Sequence, residues 1–264
     1  MYDFAYERPD SIERATAILT NDDRAMPIAG GMTLLPALKL RLAQTSCLVD
    51  LAAIAELRGI VADERSVAIG AMTPHADVAD DGLVRDRLPA LADLASGIGD
   101  PQVRNRGTIG GSLANNDPAA DYPAAVLGLG ATIITTGREI SADDYFLGMF
   151  TTALGPGEII TQVRFPLASR AAYAKFRHPA SGYAVVGVFI AEAQTGIRVA
   201  VTGAGGCVFR HSDMESALAG HFAPGAIEGV RTDAADLNSD MHASAEYRAH
   251  LVGIMAKRAI ASVS

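Results

Sequence analysis

The sequence predicts an α+β protein made of three consecutive units, and three observations carry that expectation. Before about residue 55 short strands are separated by helices. From 56 to about 168 short strands are joined by hairpin-like turns, so the sheet there is mixed or antiparallel. From 169 to 264 strand candidates come first and helical segments follow.

Ser11 is placed to cap a helix whose apolar stripe is Ile12, Ala15, Ile18 and Leu19, and the polar cluster Asn21, Asp22 and Asp23 ends it. Met26 to Ala29 reads as a strand stopped by Gly30 and Gly31, Leu34 to Leu42 as a helix, and Cys47 to Leu51 as a buried strand. In the second unit Ile60 to Ala62 and Val67 to Ala71 pair as a hairpin. Thr73 is placed to cap a helix over Pro74 to Val78, and Leu88 to Ala95 is helical. Gly97 to Asp121 is rich in glycine and asparagine, too polar and broken for regular structure, and so long an irregular segment points to function. Ala124 to Leu129 then reads as a helix, with Ala131 to Thr135 and Ile159 to Phe165 as strands, the latter closed by Pro166. In the third unit the strand candidates are Ala172 to Phe176, Val185 to Ala191 and Ile197 to Thr202. Helices run on to Ser264, among them an amphipathic one over Ser244 to Ala259 with Tyr247, Leu251, Ile254 and Met255 on its apolar stripe.

Composition removes several function classes. A net charge of -8, with Lys and Arg scattered, provides no patch to neutralise a phosphate backbone, so no nucleic-acid partner is expected. The acidic first residues begin no apolar run and no segment reaches membrane-span length, so neither a secretory signal nor an integral membrane segment is expected, and a cytoplasmic location follows. Cys47 and Cys207 stand far apart without a CxxC spacing. They are expected to be buried free thiols, unable to hold an iron–sulfur cluster by themselves. His75, His178, His211, His221, His242 and His250 form no HxH or HExxH pair, so no protein-bound metal is expected.

Chemistry is concentrated in two glycine segments, Pro27 to Leu34 (PIAGGMTL) and Thr108 to Ser112 (TIGGS). Glycine lets a ligand approach the main chain and leaves N–H groups to point at phosphate oxygens, as a diphosphate cradle needs, although a Gly-Gly pair equally marks a tight turn. Neither segment matches GxGxxG at a strand-to-helix turn or GxxxxGK[ST], which disfavours a nicotinamide or ATP domain.

Together with RNRGTIGGSLANNDPAADYPAAVL, YERPDSIERA, GEIITQVRFP, KFRHPASGYAVVGV and SAEYRAHLV, the AGGMTL segment resembles the medium, FAD-binding subunits of molybdenum hydroxylases, the carbon monoxide dehydrogenase and xanthine dehydrogenase group. The resemblance runs along nearly the whole chain. It implies a vanillyl-alcohol-oxidase (PCMH) type FAD-binding fold: two α/β subdomains, 1–55 and 56–168, with a C-terminal α+β subdomain, 169–264, closing over the flavin.

Position by position, the resemblance implies that Pro27, Ile28, Ala29, Gly30, Gly31, Met32, Thr33 and Leu34 wrap the diphosphate. It implies that Thr108, Ile109, Gly110, Gly111 and Ser112 bind it from the other side, and that Asp121 holds a ribose hydroxyl. Ile98 and Ile160 match apolar contacts to the cofactor, and Arg177 a basic residue near the isoalloxazine. Tyr183 sits where the family often has an aromatic or acidic residue. Read without the resemblance, Asp121 equally suits the N-cap of the following helix, Ile98 and Ile160 the core, and Arg177 a solvated strand. Met32 departs from the family, in which many relatives have a polar residue.

The implied activity is that of an oxidoreductase subunit with no catalytic acid or base of its own. FAD would take electrons from the [2Fe-2S] clusters of a small subunit, fed by the molybdenum cofactor of a large one, and pass them to an external acceptor. The expected assembly is a dimer of heterotrimers, and the alternative is a free-standing FAD-dependent oxidase of the same fold.

Overall fold

A computed structural model describes residues 1–193 and 196–263. Its secondary structure mixes helices and strands in three main sheets, so the α+β expectation holds.

The first sheet is parallel, with β1 (Ala5–Glu7), β3 (Cys47–Asp50) and β2 (Met26–Ile28) in that order. Parallel neighbours need crossovers. These are α1 (Ile12–Asn21), capped by Ser11, and α2 (Leu34–Lys39), which stops three residues short of the expected end because Arg41 turns left-handed at φ 59°.

The second sheet is antiparallel, in the order β4 (Ile60–Ala62), β5 (Ser66–Gly70), β10 (Ile160–Pro166), β6 (Thr132–Thr135) and β7 (Glu139–Ser141). Between β5 and β6 run α3 (His75–Asp80), α4 (Gly82–Arg87), α5 (Pro89–Ser96), α6 (Pro101–Arg106), α7 (Ile109–Asn115) and α8 (Tyr122–Leu129). The span 97–121, expected to be irregular, therefore holds two short helices. Both have ordinary start signals: Asp100 accepts from the Val103 N–H with Pro101 in the first turn, and Thr108 accepts from the Gly111 N–H. After α9 (Ala142–Tyr145) a hairpin of β8 (Phe146–Gly148) and β9 (Thr151–Thr152), which the sequence reading did not identify, returns the chain to β10.

The third sheet is an antiparallel meander of β11 (Arg170–Arg177), β12 (Ala184–Ala193), β13 (Gly196–Thr202) and β14 (Phe209–Arg210), backed by α10 (Ser212–Gly220) and α11 (Ala245–Ala261). Ser264 lies outside the described residues. On α11 the buried face holds Leu251, Val252 and Met255. Tyr247 is exposed and Arg248 takes the interior position instead, because its guanidinium donates to the Val185 and Gly203 carbonyls and to Asp240.

Side-chain alternation along β11 fixes how this sheet meets the rest. Ala172, Ala174 and Phe176 pack under α11. Ala171 and Tyr173, on the other face, join the core of the second sheet. Phe189 of β12 also enters that core, where Gly128 has no Cβ to obstruct its ring. Cys47 is buried as expected, whereas Cys207 is only partly covered.

Candidate functional site

The two glycine segments meet. A Cβ on Gly30 would stand 2.0 Å from the Arg106 carbonyl oxygen, and one on Gly110 would stand 2.5 Å from the Ala71 Cβ. Gly111 faces Ala29 at 3.4 Å. These glycines let one stretch of backbone lie directly on another, bringing the edge of the first sheet against α6 and α7. Beside this junction opens a cleft of about 800 Å³.

Most of the residues named from the sequence line the cleft. Pro27, Ala29, Gly30, Gly31, Met32, Thr33 and Leu34 form one wall. Thr108, Gly110, Gly111 and Ser112 form the opposite one, and Ile98, Asp121, Ile160 and Tyr183 complete it. Three lie elsewhere. Ile28 packs with Leu38 and Leu48, Ile109 is fully buried in the second core, and Arg177 is exposed behind the wall, donating to the Gly99 carbonyl at 2.7 Å.

The segments offer different chemistry. In TIGGS the amides are engaged within the protein: Ile109 N–H donates to Thr73 O, Gly110 to Ala71 O, Gly111 to the Thr108 hydroxyl and Ser112 to Thr108 O. That segment presents a surface free of bulky side chains, plus the Ser112 hydroxyl. In AGGMTL the reverse holds. Gly31 turns at φ +72°, and among the described residues no protein acceptor takes the N–H of Gly31, Met32, Thr33 or Leu34. Four successive free donors at a turn entering a helix make a nest suited to phosphate oxygens, and its backbone donors do not depend on the side chain at Met32.

Asp121 stands at the start of α8 but does not cap it, because its backbone is already helical and its side chain turns away. The carboxylate accepts from the Tyr173 hydroxyl at 2.5 Å and from Lys175 Nζ at 2.9 Å, with Gly187 opposite supplying the room that Tyr173 needs. Burial pushes this carboxyl above the ordinary range, while Lys175 and Tyr173 pull it back. Sequence reading missed Lys175 and Tyr173. The signal was their spacing, since Tyr173, Lys175 and Arg177 recur at period two on one face of a strand.

Other wall residues were also missed. His75 is 5% exposed, and burial, with Arg104 nearby, lowers its pKa to about 4, so it is neutral at physiological pH. Glu158 fastens the 155–158 turn, accepting from Arg138 Nε at 3.1 Å, from the Thr135 hydroxyl at 2.6 Å and from the Gly155 N–H at 2.7 Å. These bonds, Arg138 foremost, hold its pKa down at about 2. Tyr183 lines the cleft together with Thr33, and its phenol is pushed up by partial burial and by Asp117.

With an amide nest on one wall and a buried acid on another, the cleft has the features that an extended, phosphate-bearing cofactor needs, and neither glycine segment carries a GxGxxG turn. Residues 2–168 match the family described as the FAD binding domain in molybdopterin dehydrogenase. The chain is 36% identical to the carbon monoxide dehydrogenase medium chain of Hydrogenophaga pseudoflava over 97% of its own length and 96% of that protein's. It is 32% identical to the glyceraldehyde dehydrogenase medium chain of Sulfolobus acidocaldarius, covering 99% of each. A solved structure of carbon monoxide dehydrogenase from Hydrogenophaga pseudoflava, in a form lacking the Mo-pyranopterin moiety of the molybdenum cofactor, superposes with a TM-score of 0.91 at 35% identity, covering 99% of this chain and 97% of that one. The chain belongs to the family of FAD-binding subunits of molybdenum hydroxylases; it is an oxidoreductase subunit and its cofactor is FAD. Among the described residues no helix is long and apolar enough to cross a membrane.

Proposed function

We propose that this chain holds FAD in the cleft between its first two sheets and relays electrons there, from [2Fe-2S] clusters of a small partner subunit to an external acceptor. The clusters would be filled from a molybdenum cofactor on a large subunit, in a dimer of heterotrimers. The observation that supports this most is the run of four unpartnered amides at Gly31–Leu34, facing a wall made smooth by Gly110 and Gly111.

In this reading the PCMH-type subdomains are 1–55 and 56–168, and 169–264 closes over the flavin by way of Ser181, Gly182 and Tyr183. The nest binds the diphosphate, Asp121 accepts from a ribose hydroxyl, and Ile98 and Ile160 press apolar surface on the cofactor. Ile28 and Ile109 support the two walls from behind, and Arg177 secures the Gly99 carbonyl beside Ile98. Bound FAD supplies a centre that takes electrons singly or in pairs. The protein's part is to bind, orient and shield it. No paired carboxylate or nucleophile–base couple is needed, and His75, neutral and packed against Tyr122, is not placed as an exposed base.

The test is Ser112→Trp, which fills the cleft from a half-buried helical position. FAD titration followed by flavin fluorescence should show binding to the parent chain and little to the variant, with circular dichroism unchanged. Equal binding by a folded variant removes FAD from this cleft.

A further inference from the structure

The walls of the cleft are tied together by a side chain that does not face it. Lys175 stands on β11 between Tyr173 and Arg177 and is 9% exposed. Its Nζ donates to the Gly97 carbonyl at 3.0 Å, to Asp121 Oδ2 at 3.0 Å and to the Gly182 carbonyl at 3.1 Å. An ammonium has three N–H donors, and all three are used, on segments far apart in the chain.

Each acceptor belongs to a different part of the cleft. Gly97 precedes Ile98, Asp121 is itself a wall residue, and Gly182 lies in the turn that carries Tyr183, another wall residue. The first part is secured further: Arg104 donates to the Ile98 carbonyl at 3.0 Å and to Gly99 at 3.2 Å, and Arg177 also donates to Gly99. The carbonyls of 97–99, just past the C-terminus of α5, thus all end on cations, the sign that end of a helix favours.

A buried ion pair alone is a weak reason for this arrangement, because a well-packed apolar pair is often as stable. An apolar pair has no donors with which to hold three polar points at set distances. We infer that Lys175 is the positioning residue that spaces the Ile98, Asp121 and Ser181–Tyr183 walls for uptake of FAD, an inference that rests on FAD occupying this cleft. Lys175 touches neither cofactor nor reacting atoms in this role.

The experiment uses the full chain as Lys175→Met, Asp121→Asn and the double variant, each compared with the parent. FAD affinity is measured by flavin fluorescence, and amide hydrogen exchange is read on the flavin-free chain. Lys175→Met should weaken FAD binding by about tenfold to a hundredfold. It should also speed exchange in 97–99 and 181–183 together, with α11 still protected. The double variant holds no uncompensated buried charge, which keeps the comparison valid should Lys175→Met alone fold poorly. Relative to Asp121→Asn, it should still lose at least about tenfold in affinity. Equal affinity in those two would reduce Lys175 to a counter-ion for Asp121 and overturn the inference, as would unchanged exchange in either segment. Failure of the cleft assignment is seen separately, as FAD uptake indifferent to Ser112→Trp, while exchange in the flavin-free chain reads wall spacing wherever FAD sits.

Discussion

Replacing Gly30 with alanine tests whether the junction of the two glycine segments builds the site. Gly30 does not have a positive φ, so the substitution adds no backbone strain, and its whole effect comes from the added methyl. That methyl would sit 2.0 Å from the Arg106 carbonyl oxygen, 2.6 Å from its carbon and 2.7 Å from the Gly107 Cα. A non-bonded contact needs more than 3 Å, so the two segments must separate by about 1 Å. The obstacle is backbone on both sides, with no flexible side-chain end to swing away. Overpacking of this kind costs about 1–3 kcal/mol. For a chain of this length that lowers Tm by roughly 3–10 °C. The same separation moves Gly31–Leu34 relative to Thr108–Ser112, so FAD affinity should fall along with stability. Thermal unfolding with and without FAD reads both, since ligand stabilisation follows the logarithm of ligand over Kd. Gly253→Ala, in the interior of α11 with nothing within 4 Å of the new methyl, is the control and should raise stability by up to about 1 kcal/mol while leaving FAD affinity unchanged. A Gly30→Ala chain with the parent's Tm and FAD affinity would refute the reasoning.

Two further predictions concern pH and the cofactor linkage. The carboxylate of Glu158, 11% exposed on its side chain, has its folded pKa depressed from 4.5 to about 2, so its contribution to stability is present above pH 4.5 and is lost as pH falls toward 2. Allowing for solvent screening it is worth about 2 kcal/mol; Glu158→Gln should be less stable than the parent by that much at pH 7 and converge with it near pH 2, and parallel stability curves would contradict the assignment. FAD is expected to be held noncovalently, because neither Cys47 nor Cys207 lines the cleft and His75 is packed between Tyr122 and Gly107. Acid precipitation should leave all yellow colour in the supernatant, and colour retained on the pellet would contradict this.

The sequence alone determined the local and the compositional. Ser11 capping α1, the strand candidates 172–176 and 185–191 and the stop at Pro166 are short-range signals, and they survive in the structure because each depends on a few neighbouring residues. AGGMTL and TIGGS were legible as places of close backbone approach because only glycine permits one. What glycine does not specify is the thing approached. Tertiary structure decided that Gly30 and Gly110 admit other backbone, so that TIGGS engages its amides on Ala71, Thr73 and its own Thr108 and the free donors belong to Gly31–Leu34. Gly111 likewise faces Ala29, so Gly111→Val would disturb the junction as well as any ligand, and Ser112→Trp is the cleaner probe. The span 97–121 lacked an apolar period because α6 and α7 are six and seven residues long, too short to show one. Lys175, Tyr173 and Asp121 come from strands and helices some fifty residues apart, and no window of sequence contains the pairing. The chain encodes which residues are able to bury, turn and donate; only packing sheet against sheet decides which of them meet around a ligand.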